Sequence, residues 1–495
     1  MRCLRRAALA ALILATSSFA TSHSVTAADY FLTIGGGYSP SGNQASLERN
    51  VLFFQRLLKE CGLDENENDI YFSDGENPDD DLQVIDRTSI PKANQLMAEF
   101  FGSQRDLGLS YRNHQIDNVR GSTSPKNIQA WFDDVGSTMH KGDRLLLYVT
   151  AHGSESQTRS QPYNTSISLW NHTKITVSEL SKMLDQLPEG VSVVTIMVQC
   201  QAGGFARLVY NEGDPDKGRS SQKRSGFFAT VHDRPAAGCT PDIDEASYVE
   251  YSTYFWEAIA GRTRLNQPIE PPDYDNDGRV SFEEAHAYTI LKSDTIDLPI
   301  KTSGEFLGEE SGFQDDQHPD LLPRDLDYSE LLKFATPSDR AVLEGLSAQL
   351  ELDGENRLEA AERKKNERRP RGRGRSRVTT TDNSASLRRK IANDLRGKWP
   401  GLANPLNPIG IELMTDRSDD FIHAIESHPD YAKYRELADA NQSSLNDREK
   451  LVKYERFIRT AEDVILRENL TRLGDANTIA AFEAIIQGES GSLER

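Results

Sequence analysis

Two stretches decide the fold: LLLYVTAHGSE, Leu145–Glu155, and VVTIMVQCQAGGF, Val193–Phe205. Each is a short apolar run that stops abruptly in small and polar residues. Neither shows the alternation of a half-exposed strand, so both read as strands buried on two faces, as in a mostly parallel sheet. Working outward, YFLTI from Tyr30, DIYFS from Asp69 and GFFATV from Gly226 have the same character. Helical spacing fills the intervals, in SLERNVLFFQRLLKE from Ser46, SPKNIQAWFDDVGSTM from Ser124 and SELSKMLDQL from Ser178. From Tyr30 to about Gly261 the pattern predicts an α/β sandwich, a mostly parallel central sheet covered by helices. In such a sheet His152 and Cys200 emerge at the carboxyl ends of their strands, the edge where open α/β sheets bind ligands.

The chain has 495 residues, with 57 Lys+Arg against 77 Asp+Glu and a formal charge of −20. That length predicts more than one domain. The charge argues against coating nucleic acid, which requires Lys and Arg to neutralise phosphates. Arg2, Arg5 and Arg6 precede an apolar run from Ala7 to about Ala20 and a small-residue region ending Val25-Thr26-Ala27-Ala28. This reads as a signal peptide over 1–27, cleaved near Ala27, giving a secreted or periplasmic protein of charge −23 once the three arginines leave. No later stretch approaches the roughly 20 apolar residues of a spanning helix, so no membrane span is expected. Cys3 leaves with the signal; Cys61, Cys200 and Cys239 remain. An odd count implies a free thiol or an intermolecular bridge, and a Cys61–Cys239 disulfide leaving Cys200 free is one arrangement.

The remaining organisation follows composition. An α/β domain is expected over 28–345, a charged and partly disordered linker over 346–385, and a helical region over 386–495. Within the linker, RKKNERRPRGRGRSR from Arg363 to Arg377 is strongly basic and broken by Pro370, Gly372 and Gly374. In the helical region Leu451, Tyr454, Ile458, Ala461 and Ile465 recur three and four apart, a face suited either to a small core or to self-association through the C-terminal helices.

His152 and Cys200 carry the chemistry. A thiolate is a nucleophile, and an imidazole moves protons near neutral pH. Gly153 allows a substrate backbone to approach, and its N–H with that of Cys200 forms a candidate oxyanion hole. Gly203 and Gly204 permit a sharp turn into a helix whose N-terminus is expected to favour the thiolate. The expected reaction is acyl transfer: Cys200 attacks a peptide carbonyl, His152 protonates the departing amine, and water hydrolyses the thioester.

These residues resemble the caspase-like cysteine peptidases, the clan of caspases, legumain and gingipain, and within it the legumain-type branch. The resemblance rests on the strand ending in His152-Gly153, the strand ending in Gln199-Cys200 and a spacing near 50 residues between them. It covers about Tyr30 to Gly261 and implies a caspase-like α/β/α fold, a catalytic His152, a nucleophilic Cys200 and a protein or peptide substrate. The QAGGF that follows the cysteine departs from the charged turns of caspases and legumains, so substrate preference does not transfer. Asp242 and Asp244, in the loop after GFFATV, are candidates to attract a basic P1 side chain. Two other readings remain: an inactive, calcium-dependent binding protein, and a transpeptidase or transamidase in which an amine captures the acyl-enzyme.

A second motif, PPDYDNDGRVSFEEA, places Asp273, Asp275, Asp277, Arg279, Ser281 and Glu284 at positions one, three, five, seven, nine and twelve of an EF-hand loop spanning 273–284, with Gly278 at six and Val280 at eight. Ca²⁺ needs several oxygens at these alternations, a Gly for the turn and a bidentate acid at the end; Arg279 contributes its carbonyl. Glu351, Asp353, Glu355, Asn356, Leu358 and Glu362 form a degenerate second loop. Gly35-Gly36-Gly37 resembles a phosphate loop but lacks its lysine, and reads as a loop beside the active cleft.

Overall fold

The structure, a computed structural model, describes residues 27–63, 68–315, 318–367, 380–443, 447–473 and 475–493. The expected signal peptide, up to residue 26, and residues 368–377 of the basic segment lie outside the described residues. The strands are β1 (Asp29–Gly36), β2 (Asn68–Phe72), β3 (Leu82–Ile85), β4 (Leu109–Arg112), β5 (Val119–Gly121), β6 (Arg144–Ser154), β7 (Ser166–Leu169), β8 (Thr173–Thr176), β9 (Ser192–Met197), β10 (Arg224–Phe228) and β11 (Ile300–Lys301). The helices of the sheet-bearing body are α1 (Ala45–Glu60), α2 (Lys92–Phe101), α3 (Pro125–Asp134), α4 (Val177–Leu184), α5 (Tyr251–Ala260), α6 (Phe282–Lys292) and α7 (Thr302–Glu310). Then follow α8 (Tyr328–Phe334), α9 (Pro337–Leu350), α10 (Arg357–Asn366), α11 (Thr380–Lys398), α12 (Pro408–Met414), α13 (Ser418–Glu426), α14 (Tyr431–Ser443), α15 (Asp447–Leu473) and α16 (Ala476–Glu489).

The central sheet runs β11-β10-β9-β6-β1-β2-β5. Its pairings are parallel except for β11, which closes the β10 edge antiparallel. Beyond the parallel ladder, the end of β6 pairs antiparallel with β7, and β7 with β8. Both faces are covered, which explains why the strands do not alternate. On one face Leu145, Leu147, Val149 and Val193 pack with Ile128, Trp131 and Phe132 of α3 and Leu180 and Leu184 of α4. On the other, Phe31, Leu146, Tyr148, Val194 and Ile196 meet Phe54 and Leu57 of α1, Phe255 and Trp256 of α5, and Phe282 of α6. These side chains are at most 1% exposed, so truncating a central leucine such as Leu147 to Ala is expected to cost about 2–5 kcal/mol.

The C-terminal region is helical, as expected, but much of it folds onto the α/β body. Tyr454, Ile458, Ala461 and Ile465 of α15 are buried against Val342 and Leu346 of α9 and Leu358 and Ala361 of α10, while Leu451 is 38% exposed. The apolar spacing thus serves core packing. Within the expected linker, 346–350 end α9, 357–366 form α10 and α11 begins at Thr380; α15 covers the apolar faces of α9 and α10. α16 lies along β10 and packs Phe482 and Ile485 against Phe306 and Leu307 of α7. A satellite cluster joins α2 to α11 and α13 through Leu96, Phe100, Ile391, Leu395 and Phe421. Among the described residues no helix is long and apolar enough to cross a membrane.

Candidate active site

The register builds the site. β6 and β9 pair from Arg144↔Ser192 through Val149↔Met197 at a constant offset; beyond that ladder His152 lies three residues on along β6 and Cys200 three residues past the end of β9. The approach of the strand ends is close: a Cβ on Gly153 would lie 1.8 Å from Cys200 O and 2.8 Å from Gln199 Cγ, so only glycine fits. Pairing of His152 with Ser168 and Gly153 with Ile167 on β7 prevents the β6 end from fraying. After Cys200 the chain turns through Gln201 in the left-handed region, at φ 55°, with its carbonyl held by Thr165 Oγ1 at 3.0 Å. Gly204 passes so near Thr165 Oγ1 and the Tyr163 carbonyl that a Cβ would stand 2.3 and 2.4 Å from them. The Gly-rich turn is a packing requirement, and it leads into a 3-10 helix, Ala202–Val209.

His152 Nε2 hydrogen-bonds to Gly42 O at 2.8 Å and Gln44 Oε1 at 2.9 Å, and the Tyr38 ring lies 5.2 Å from the imidazole, edge to face. Both partners are acceptors, so Nε2 carries the proton and Nδ1 is the basic nitrogen. Burial lowers the imidazole pKa below its ordinary value, with the Gly42 carbonyl opposing the shift. Cys200 faces the other wall: Ala236 N–H donates to its sulfur at 3.3 Å and the thiol donates to Ala236 O at 3.8 Å. Burial raises the thiol pKa, the Ala236 N–H opposes this, and Asp297 adds to it. The expected helix-terminus stabilisation of a thiolate is therefore outweighed by desolvation. Ring and sulfur occupy one sheet edge with their hydrogen bonds directed to opposite walls, and both are neutral at pH 7.

The groups orienting the dyad come from segments that carry no chemistry in the sequence. Gly42 and Gln44 belong to the Gly-rich loop after β1, whose resemblance to a phosphate loop signals close backbone approach. Ala236 belongs to the loop after β10, which α15 secures: Arg234, whose carbonyl accepts from Gln201 N–H, forms a bidentate ion pair with Glu455. Next along the loop, Ala237 N–H donates to Asp297 Oδ1 at 2.5 Å. Asp297 is 1% exposed, and burial pushes its carboxyl up to about 7. Arg456, 2% exposed, holds that segment from below through the carbonyls of Ile290, Ser293, Thr295 and Asp297.

The expected specificity pair is engaged within the fold. Asp242 is ion-paired with Arg87 at 2.9 Å, and Asp244 caps a short helix by accepting from Ala246 N–H at 3.0 Å. The Cys61–Cys239 bridge is not formed: no disulfide joins Cys61, Cys200 and Cys239. Ser46 N–H donates to Thr240 O, which places Cys239 near the start of α1, whereas Cys61 caps its end. A 16-residue helix separates them by roughly 20 Å, far beyond disulfide reach.

The loop 273–284 has EF-hand features in part. One carboxylate oxygen each from Asp273, Asp275 and Asp277 lie within 4.8 Å of one another, and Gly278 takes a φ of +87°. Asp273 accepts from the N–H groups of Asp277 and Gly278, both at 3.0 Å. Glu284, 3% exposed, is engaged by backbone: Oε1 accepts from Tyr274 N–H at 2.6 Å, and Oε2 from Ser281 N–H at 2.8 Å. α6 begins at Phe282, within the last three positions of the loop, but α5 ends at Ala260, so no helix enters it. Val280 packs in the α1/α5 core and Leu358 in the α9/α10/α15 core, so the degenerate loop 351–362 is not a sister paired through these positions.

No protein-family model matches the sequence, and no curated protein matches it. Among solved structures, the crystal structure of protein GSU0716 from Geobacter sulfurreducens is similar at a TM-score of 0.33 and 10% identity, covering 55% of this chain and 92% of that one. Similarity at that level establishes neither a shared fold nor a shared activity.

Proposed function

We propose that the chain is an exported, caspase-like cysteine endopeptidase in which Cys200 is the nucleophile and His152 the proton carrier. The observation that carries this reading is the apposition of the two strand ends, with Gly153 against the Cys200 carbonyl and His152 Nε2 tied to Gly42 O. In the proposed cycle Nδ1 of His152 takes the thiol proton as sulfur attacks a peptide carbonyl. The oxyanion meets the N–H groups of Gly153 and Cys200, and the proton passes to the departing amine. Water, deprotonated by the same nitrogen, then cleaves the thioester; an amine in its place gives transpeptidation. Export follows from the N-terminal signal pattern, and Ca²⁺ association from the carboxylates of Asp273, Asp275 and Asp277.

One observation favours the second reading, an inactive calcium-associated binding protein: the thiol and the imidazole bond to opposite walls rather than to each other. An acyloxymethyl ketone peptide probe separates the two. Covalent labelling of wild type that disappears in Cys200→Ala supports the peptidase; a wild-type protein that is never labelled, with or without Ca²⁺, refutes it.

A further inference from the structure

A second group of metal-ligating side chains lies beside the loop that orients His152. Asp74 follows β2, Asp81 precedes β3 and His114 follows β4; one ligand atom from each lies within 4.8 Å of the other two. Asp81 is 1% exposed. Its carboxylate accepts from Asn43 Nδ2 and from His114 N–H, both at 3.2 Å. Arg112, from the same hairpin, gives its guanidinium to Glu48 instead of to these acids. Asp74 Oδ1 is sealed from solvent and meets no N–H or hydroxyl donor among the described residues, and the Asp74 carboxyl faces that of Asp81.

The imidazole is set for coordination. His114 Nε2 bonds to Gly75 O at 2.8 Å, and a carbonyl only accepts, so the proton sits on Nε2. Nδ1 accepts a hydrogen bond from Ile116 N–H at 3.3 Å, a donor that a bound ion would displace. Metal-bound histidines characteristically donate their other ring N–H to a carbonyl, and ligating carboxylates are held by outer hydrogen bonds. Asn43 and Gly75 supply both features here.

We propose that Asp74, Asp81 and His114 bind a divalent transition metal of the zinc class, and that the bound ion braces the 37–44 loop. Two carboxylates with one imidazole suit Zn²⁺ or Co²⁺, whereas Ca²⁺ takes all-oxygen sets such as the one at 273–284. The connection to the loop is short. Asn43, 0% exposed, bonds Asp81 through Nδ2 and accepts from Gly37 N–H at 3.0 Å through Oδ1, and its neighbour Gly42 presents the carbonyl that holds His152. The metal site stands whether or not the dyad is catalytic; the effect on activity rests on the peptidase reading.

The test uses metal-free full-length protein titrated with Co²⁺, read by visible absorption, and with Zn²⁺, read calorimetrically. Wild type is expected to take up one Co²⁺ at this site, displaced by Zn²⁺. Asp81→Asn is expected to weaken binding at least tenfold and Asp273→Asn to leave it unchanged. Asp74→Asn, at a less buried position, gives the same readout should Asp81→Asn fail to fold. The His152 ring resonances are expected to shift on Zn²⁺ addition in wild type and to stay fixed in the Asp variants. Absence of Co²⁺ uptake by wild type, or equal uptake by Asp74→Asn, overturns the site and leaves two carboxyls sharing a proton; uptake without movement of His152 overturns the brace alone.

Discussion

Gly153→Ala tests the strand-end geometry most directly. The added methyl would stand 1.8 Å from Cys200 O, and restoring an ordinary 3.4 Å contact requires the two strand ends to separate by about 1.6 Å. The atom in the way is backbone, anchored by β9, so no side-chain rotation relieves the clash. Overpacking of this kind costs about 1–3 kcal/mol of stability. The larger effect falls on chemistry, since a displacement of about 1 Å in a catalytic group reduces rate on the order of a hundredfold. Activity against a peptide substrate is therefore expected to fall by at least that factor, with a urea midpoint lowered only modestly. Alkylation of Cys200 by iodoacetamide provides a second readout that needs no substrate, and its rate should change as the thiol shifts against Ala236. A Gly153→Ala protein with wild-type kcat/KM and wild-type stability would falsify the placement of Gly153 against Cys200.

Other expectations follow from the same geometry. Because burial lowers the His152 pKa and raises that of Cys200, the pair is neutral at pH 7. The acid limb of the pH–rate profile should lie below the imidazole's ordinary 6.5, and Cys200 alkylation should accelerate only above the ordinary thiol range; a thiolate titrating below pH 7 would contradict this. His152 and the fully buried His286 both have folded pKa values below the unfolded one, so the unfolded chain binds more protons and their contribution to stability is lost as pH falls below about 6.5. Denaturant midpoints from pH 8 to 5 check that sign in His286→Gln, which should lose part of the slope. Arg456→Met strips donors from four buried carbonyls and is expected to destabilise by about 3–5 kcal/mol; a loss under about 1 kcal/mol would show that the arginine does not hold the Ile290–Asp297 segment. Ca²⁺ at a hundred times its Kd should add about 2.7 kcal/mol to wild type and little to Asp273→Asn, read as the shift in thermal midpoint.

Much of this protein is written in short apolar runs. β1, β2, β6, β9 and β10 are legible because strands buried on both faces must be apolar throughout, and α1, α3 and α4 because one covered face imposes a helical period. The strand-to-loop transitions at His152 and Cys200 likewise mark a shared edge in the sequence. The sequence by itself could not give the sheet order, since β1 lies between β6 and β2 through crossovers whose partners are set by packing. Nor could it show that α15, more than 200 residues beyond Cys200, holds the wall of the site through Glu455 and Arg456. Asp242 illustrates the limit: the Arg87 guanidinium that pairs with it lies 155 residues away in the chain. Periodicity and burial pattern are local and survive in one dimension, whereas hydrogen-bond partners, disulfide reach and pKa shifts depend on which distant segments meet, and only the tertiary structure decides that.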